Sequence, residues 1–247
     1  MNPAPLDRAT SLGLIVPPSN PTVEPEIAWL LGGAARMHAA RLPVMPGADL
    51  QERNRRYPGT YAGGVAAFGS LRLDALAVGL TGASYPLGAA GDAALCAELS
   101  ATAARPVATA ARALIDAVAA LRPARVGLLS PYPSWLTGQA HAFWAEAGVP
   151  IVETVKLEGE FRAYELTAAE VADALGRFVS RDLDLILMSG TGMITIPAIL
   201  PRVGTGPLLL SSNIGTAWWL ARAAGMAATP ALVAACPPLA ALLPQAA

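Results

Sequence analysis

The sequence predicts an α/β fold with two similar doubly wound (flavodoxin-like) parallel-sheet halves, related by pseudo-two-fold symmetry, with a site in the cleft between them. Short apolar runs of strand length alternate with helical segments along the chain, which is typical of parallel βαβ units. The stretch from Leu73 to Gly82 also matches the stretch from Leu183 to Gly192, with Asp74 aligned to Asp184. Each half should therefore bring matching loops to one cleft, where small ligands commonly bind.

The first half is predicted to alternate strands and helices, beginning after a short lead-in. Thr22 is predicted to cap the first helix, with Glu24 and Glu26 favoured near its positive end. Residues 43–56 are predicted to be irregular and polar. The overlapping segment 51–58 carries the densest charge, and it is either a lid with arginines that clamp a carboxylate or a solvated surface. The predicted strands span 11–16, 36–42, 75–80 and 106–107, and the predicted helices span 22–31, 61–71, 88–104 and 109–121.

The second half repeats this alternation, and the apolar tail is predicted to be a helix or an interface arm. The predicted strands span 125–129, 151–157, 183–188 and 207–210, and the predicted helices span 134–146, 167–179, 194–200 and 214–224. We place the first half in residues 1–108 plus 212–247 and the second in residues 109–211. Trp218 and Trp219 lie in the last of these helices, as core residues or as part of a self-association surface, and we expect a homodimer.

The composition excludes several classes of protein. The chain is 54% hydrophobic and 14% charged with a formal net charge of −1, and no basic stripe with interleaved aromatics predicts a nucleic-acid partner. No membrane span and no signal peptide are predicted, so we expect a cytoplasmic protein. Cys96 and Cys236 are interpreted as small buried hydrophobes, and His38 and His141 form no metal-ligand pattern, so no metal site is expected.

Small polar residues and glycines follow the predicted strands of both halves. Neutral donors of this kind suit a carboxylate, or an enolate-like oxyanion as its charge develops. Phosphoryl transfer is excluded because the chain has no glycine-rich lysine loop and no carboxylate pair for magnesium, and Gly190-Thr191-Gly192 lacks the third glycine of a dinucleotide site. Glycine, serine and threonine are also ordinary turn residues, so a purely structural role for these positions stays open. The candidates are Ser19, Asn20, Thr81, Gly82, Ser84, Tyr85, Tyr132, Ser189, Gly190, Thr191, Gly192, Ser212 and Asn213.

The stretch from Gly13 to Glu26, GLIVPPSNPTVEPE, resembles the opening of the maleate cis-trans isomerases, G-x-x-V-P-S-S-N-T-x-x-E-x-E. The arylmalonate decarboxylases share the start of this pattern, and the resemblance spans residues 11 to about 225. Both families belong to the aspartate/glutamate racemase superfamily, whose members are cofactor-independent. The resemblance implies that Asn20 and Tyr132 face a substrate carboxylate, and that Thr81 with neighbouring N–H groups forms an oxyanion pocket.

The sequence departs from the superfamily where its catalytic cysteines should stand, after the third strand of each half. The first position is Leu80, or Gly82 if the alignment shifts by two, and the second is Gly190. Thiol-dependent isomerisation and two-base racemisation are therefore disfavoured, since neither residue can supply a thiolate. Tyr132 and Glu160 become the candidates for proton transfer.

Two hypotheses follow from these residues. The first is a cofactor-free lyase or isomerase that acts on a small carboxylic acid through an enolate-like intermediate. Thr81, Thr191 and the glycine N–H groups would hold the oxyanion, and the positions of Leu80 and Gly190 would leave space for a bulkier substrate. The second is a catalytically silent relative that binds a small carboxylate or serves as a partner subunit.

Overall fold

The computed structural model describes residues 10–157 and 161–245, and its strands form two four-stranded parallel sheets. The strands are β1 (Thr10–Val16), β2 (Ala35–Arg41), β3 (Ala75–Val78), β4 (Val107–Thr109), β5 (Val126–Ser130), β6 (Ile151–Lys156), β7 (Leu185–Met188) and β8 (Leu208–Ser211). The first sheet has the order β2-β1-β3-β4 and the second has the equivalent order β6-β5-β7-β8. The predicted fold class of two similar α/β halves is confirmed.

Helices flank both sheets and bury their apolar faces against them. They are α1 (Val23–Leu31), α2 (Leu50–Arg56), α3 (Tyr61–Ala66), α4 (Gly88–Ala103), α5 (Ala110–Leu121), α6 (Ser134–Glu146), α7 (Ala168–Leu175), α8 (Ile196–Ile199), α9 (Ser212–Ala223), α10 (Pro230–Ala235) and α11 (Pro237–Ala240). Within the described residues, no helix is long and apolar enough to cross a bilayer. The apolar tail contains two short helices, α10 and α11. Leu232 of α10 and Leu239 of α11 are buried in the core.

Helix α2 corrects the prediction that residues 43–56 are irregular. The Asp49 carboxylate caps this helix by accepting a hydrogen bond from the Glu52 N–H at 2.8 Å. The helix has one buried residue, Asn54, so it carries no apolar stripe that periodicity could detect. Two other predicted helices end early, at Ala66 and at Leu175.

The internal repeat has a physical basis in the two aspartates that precede the third strand of each half. The Asp74 carboxylate accepts a hydrogen bond from the Ser11 N–H at 2.8 Å, at the start of β1. The Asp184 carboxylate accepts from the N–H groups of Ala124 and Arg125 at 2.7 and 2.9 Å, just before β5. Each aspartate thus fixes the position of the third strand against the first.

The two halves share one large core, in which α9 packs against α1 and α5. Gly215 of α9 permits this close approach, because a Cβ there would lie 2.8 Å from a methyl group of Leu114 on α5. Trp218 is fully buried in this core and Trp219 donates to Asp116, so the tryptophans do not form an exposed surface. The proposed domain boundaries and the homodimer stay predictions.

A buried carboxylate, Glu26 of α1, holds the two halves together. Its oxygens accept hydrogen bonds from the N–H groups of Thr195 and Ile196 at 2.5 and 2.9 Å, at the N-terminus of α8. They also accept from the Thr195 hydroxyl at 2.8 Å and from the Asn213 amide at 2.7 Å. Glu26 is therefore a helix cap supplied from the opposite half, and not only the favourable early-helix charge that the sequence predicts.

Replacing Glu26 with alanine is expected to lower the free energy of unfolding by about 3 kcal/mol or more, because four donors lose their acceptor and buried unpaired donors cost about 1–3 kcal/mol each. Urea denaturation measures this change. Glu24 is the matched control, since it lies in the same helical turn but makes an exposed ion pair with Arg41. Glu24→Ala should cost less than about 1 kcal/mol. Equal losses in the two variants would contradict the capping role.

Candidate active site

A cavity of about 330 Å³ lies between the two halves, at the carboxyl ends of the strands. Loops that follow β1, β3, β5 and β7 form one side, and segments that follow β2 and β6 form the rest. This is the edge of a parallel sheet at which ligands commonly bind. The predicted site residues that line it are Ser19, Leu80, Gly82, Tyr132, Gly190, Thr191 and Gly192.

Tyr132 lies between the two glycine-containing loops of the cavity. Its hydroxyl oxygen is 3.4 Å from the position that a Cβ on Gly82 would occupy, and 3.2 Å from the equivalent position on Gly190. The ring of Phe161 stacks on the Tyr132 ring with centroids 5.6 Å apart and planes 12° apart. Tyr85 contacts the same ring edge-on at 6.0 Å. The phenol is thus fixed at the junction of the two halves.

A side chain on Gly190 would be crowded by its neighbours. The expectation that the positions of Leu80 and Gly190 leave space for a bulkier substrate stays a prediction. A Cβ on Gly190 would lie 3.0 Å from Cγ of Pro131, in addition to its contact with the Tyr132 hydroxyl. Gly190 also has a φ of 103°, a conformation that other L-residues rarely adopt. The space that a cysteine side chain would need is therefore filled by Pro131 and Tyr132.

Burial keeps the Tyr132 phenol protonated near neutral pH. Burial raises its pKa well above the ordinary value near 10, and nearby Tyr85 and Tyr164 raise it further. Hydrogen bonds from Ser189 and the Gly82 backbone oppose this shift without cancelling it. A base role would need a lowered pKa, so the environment of Tyr132 favours the role of acid.

Thr191 lines the cavity, but its hydroxyl is engaged within the protein. It donates to the carbonyl oxygen of Gly79 at 2.7 Å and accepts from the Asn20 side-chain amide at 3.1 Å. The Asn20 carbonyl oxygen in turn accepts from the N–H groups of Thr22 and Val23 at 2.9 and 3.1 Å, which caps α1. Asn20 therefore lies behind the cavity wall and holds Thr191 in place.

Ser212 connects the matching loops of the two halves below the cavity. Its hydroxyl oxygen accepts from the Thr81 hydroxyl at 3.2 Å and from the Gly190 N–H at 3.0 Å. Thr81 is fully buried, so its hydroxyl supports the loops from beneath. The Gly190 N–H, predicted as an oxyanion donor, is occupied by Ser212.

Ser84, Ser189 and Asn213, three further predicted residues, are also buried behind the wall. The Ser189 hydroxyl forms a hydrogen bond with the Tyr85 hydroxyl. The Asn213 amide donates to the carbonyl oxygen of Thr191 at 3.2 Å as well as to Glu26. These contacts orient the cavity loops.

Glu160, the second predicted proton-transfer residue, lies outside the described residues. Of the segment 51–58, which the sequence left open as a lid or a solvated surface, Arg53, Asn54 and Tyr57 line the cavity. A signal for their helix was present, because Asp49 followed by Glu52 has the spacing of a helix N-terminus.

The other side of the cavity is a loop without periodicity. The lining residues that the sequence did not indicate are Pro17, Pro18, Val44, Met45, Leu50, Phe161, Arg162, Ala163, Tyr164 and Glu165.

The two cysteines are unsuited to thiolate chemistry. Burial raises the pKa of Cys96 to about 12 and that of Cys236 to about 11. Both thiols are therefore neutral near pH 7, and both lie outside the cavity lining. In the described part of the chain, no group of three histidine, cysteine or acidic residues could hold a metal ion.

Two doubly wound halves with a small cavity at their facing strand ends define a class of α/β proteins that bind ligands between similar halves. A family model described as arylmalonate decarboxylase matches residues 12–234, so the chain belongs to the arylmalonate decarboxylase family. The resemblance inferred from the opening motif is thereby confirmed. A comparison with curated proteins finds no match.

Solved structures share the fold over nearly the whole chain. A maleate isomerase from Pseudomonas putida S16, crystallised with maleate, is 22% identical with a TM-score of 0.85, covering 94% of this chain and 98% of that one. A Nocardia farcinica maleate cis-trans isomerase with a bound succinylcysteine intermediate is 20% identical with a TM-score of 0.83, covering 94% and 98%. An arylmalonate decarboxylase is 25% identical with a TM-score of 0.70, covering 89% and 95%.

Tyrosine ionisation should begin only at strongly alkaline pH in the native protein. The surroundings raise the pKa of all five tyrosines, that of Tyr164 to about 12. Ultraviolet difference spectroscopy should show little tyrosinate near pH 10, whereas the urea-unfolded chain should titrate there. Because the native state then holds protons that the unfolded state has lost, stability should fall as pH rises above 10. A native tyrosine that titrates at its ordinary pKa would contradict this.

Proposed function

We propose that the protein is a cofactor-free enzyme of the decarboxylase or isomerase type, which acts on a small carboxylic acid through an enolate-like intermediate without a cysteine nucleophile. In this proposal Tyr132 supplies the proton that a thiol would otherwise supply. Family membership and the shared fold support the class of reaction. The observation that most directly supports the role of Tyr132 is the position of its hydroxyl between the Gly82 and Gly190 loops.

The decarboxylation route requires one acid and one set of oxyanion donors. The bond between the α-carbon and the leaving carboxylate breaks, carbon dioxide departs, and the electron pair passes into the remaining carboxyl group as an enediolate. The Tyr132 phenol then protonates the α-carbon, and the phenolate regains a proton from solvent. Because burial raises the pKa of Tyr132, the phenolate is short-lived and the acid is restored for each turnover.

Backbone donors at the second glycine turn suit the developing oxyanion. Among the described residues, none accepts a hydrogen bond from the N–H of Thr191 or of Gly192, and both residues line the cavity. Since the Gly190 N–H is engaged by Ser212, the oxyanion pocket is proposed at Thr191 and Gly192. Fixed N–H groups in a cavity shielded from water stabilise developing charge strongly.

A second candidate function is binding without turnover. The hydroxyls of Thr81 and Thr191 are already hydrogen-bonded within the protein, and Leu80 and Gly190 occupy the cysteine positions implied by the resemblance. These observations favour a carboxylate-binding relative or a partner subunit. Turnover by the purified protein separates the two functions.

Purified protein should be assayed against arylmalonates, alkenylmalonates, maleate and amino acids. We expect turnover of at least one substrate, unaffected by thiol alkylation because both cysteines are buried. Tyr132→Phe should lower kcat about 100-fold or more, since general acid catalysis contributes about 10²–10⁴-fold.

Tyr85→Phe is the control for this assay, because it also removes a buried tyrosine hydroxyl but one that lies behind the cavity. It should change stability more than kcat. If wild-type protein binds these acids without turning any of them over, the binding function replaces the enzymatic one.

A cysteine at position 190 tests the geometry of the loop. Gly190→Cys alone should give an unstable protein without thiol-dependent activity, because its φ of 103° and the Tyr132 hydroxyl oppose a side chain. In the Tyr132→Phe background the contact with the hydroxyl is removed, while the contact with Pro131 and the positive φ remain. The strain is thus reduced and not abolished, and the thiol of Gly190→Cys should raise kcat above that of Tyr132→Phe alone. Gly190→Ala in the same background is the control, because it introduces the same backbone strain at residue 190 without a thiol. Equal rates for the cysteine and alanine variants would rule out a proton-transfer position at residue 190.

A further inference from the structure

Asn54 of α2 borders the cavity with an unused hydrogen-bond donor. The residue is 3% exposed, and its side-chain nitrogen Nδ2 has no hydrogen-bond partner among the described residues. An unpaired buried amide loses the water that it would bind in the unfolded chain, and this lowers stability. A ligand that accepts a hydrogen bond from this amide would offset the loss of stability.

The location of Asn54 distinguishes it from the other unpartnered polar groups. Buried side-chain atoms without a partner also occur on residues such as Tyr61, Ser84 and Trp144. Among the unpartnered groups in the described residues, Asn54 is the one that lines the cavity. Asn54 therefore borders the cavity, whereas the other unpartnered groups belong to residues outside the cavity lining.

Asn54 and Tyr132 face the same small volume above Gly82. The Asn54 Nδ2 atom and the Tyr132 hydroxyl oxygen each lie 3.4 Å from the position that a Cβ on Gly82 would occupy. Any side chain on residue 82 would separate these two groups. Because residue 82 is glycine, no side chain stands between the Asn54 amide and the Tyr132 hydroxyl, and both can be directed at one ligand.

Arg53, the preceding residue on α2, adds positive charge at the same side of the cavity. One of its guanidinium nitrogens donates to the carbonyl oxygen of Ala48 at 3.1 Å. Its charge lowers the pKa of Tyr57 and of Tyr164, two aromatic residues of the cavity walls, against the upward effect of burial. The positive charge of Arg53 would favour an anionic ligand at this side of the cavity.

We propose that Asn54 is a substrate-binding residue, which donates a hydrogen bond from Nδ2 to a carboxylate oxygen of the substrate held against the Tyr132 hydroxyl, with Arg53 supplying the complementary charge. This inference rests on the proposed function, because only an enzyme has a substrate. The binding of a carboxylate at Asn54 can nevertheless be measured without turnover. Asn54 then determines which acids the cavity accepts.

Asn54→Leu tests the proposal because leucine has a similar size and no donor. Phenylacetate, an unreactive aryl carboxylate, and malonate serve as binding probes in isothermal titration calorimetry. We expect Kd of the probe that wild-type protein binds to rise about 10- to 100-fold, as for one lost hydrogen bond to a charged group. The melting temperature of the free protein should stay equal or rise, since an unpaired buried donor is removed.

Gln51→Leu is the matched control, because Gln51 is exposed on the same helix, and it should change neither Kd nor melting temperature. An unchanged Kd in Asn54→Leu overturns the proposal, as does a lowered melting temperature, which would mark Asn54 as structural. Failure of wild-type protein to bind either probe also overturns it. If probe binding depends on Asn54 but no acid is turned over, the binding role of Asn54 is supported and the enzymatic function is rejected. If an acid is turned over at the same rate in Asn54→Leu as in wild-type protein, the enzymatic function is supported and the binding role of Asn54 is rejected.

Discussion

The carboxylate of Glu26 is buried between the two halves and accepts hydrogen bonds from residues of both. Two of its donors are backbone N–H groups at the start of α8, in the opposite half. Another is the Asn213 amide, which also donates to the Thr191 carbonyl oxygen. Distortion of this contact would shift the second glycine turn relative to Tyr132. The geometry of the cavity therefore depends on a contact that lies outside it, which is how enclosed sites are commonly kept rigid.

The fold could be predicted because its signals are local and repeated. Apolar runs and turns marked the strands, and Asp74 and Asp184 marked the repeat that the structure explains through their contacts with the first strands. The site was predicted less completely. Hydroxyl-bearing residues were located correctly at strand ends, but the direction of each hydroxyl depends on distant partners. Thr81, for example, is bound to Ser212, which sequence spacing cannot reveal.

The cavity walls were predicted only in part, since residues 51–58 were left open between a lid and a solvated surface. Arg53 and Asn54 lie on a helix without an apolar stripe, so their segment has the composition of a surface loop. Phe161 lies in an irregular segment whose contact with Tyr132 is made only in the folded chain. Periodicity reports on amphipathic helices and strands, so short polar helices and irregular segments give no such signal.

The positive φ of Gly190 restricts the mutational routes open to this protein. Glycine and cysteine codons can differ by a single nucleotide, so a thiol at this position is genetically close. The loop conformation and the Tyr132 hydroxyl nevertheless oppose its side chain. A single-nucleotide change to cysteine would therefore place a side chain on a strained backbone next to Pro131 and Tyr132. The conformation of one residue thus disfavours a substitution that is genetically simple.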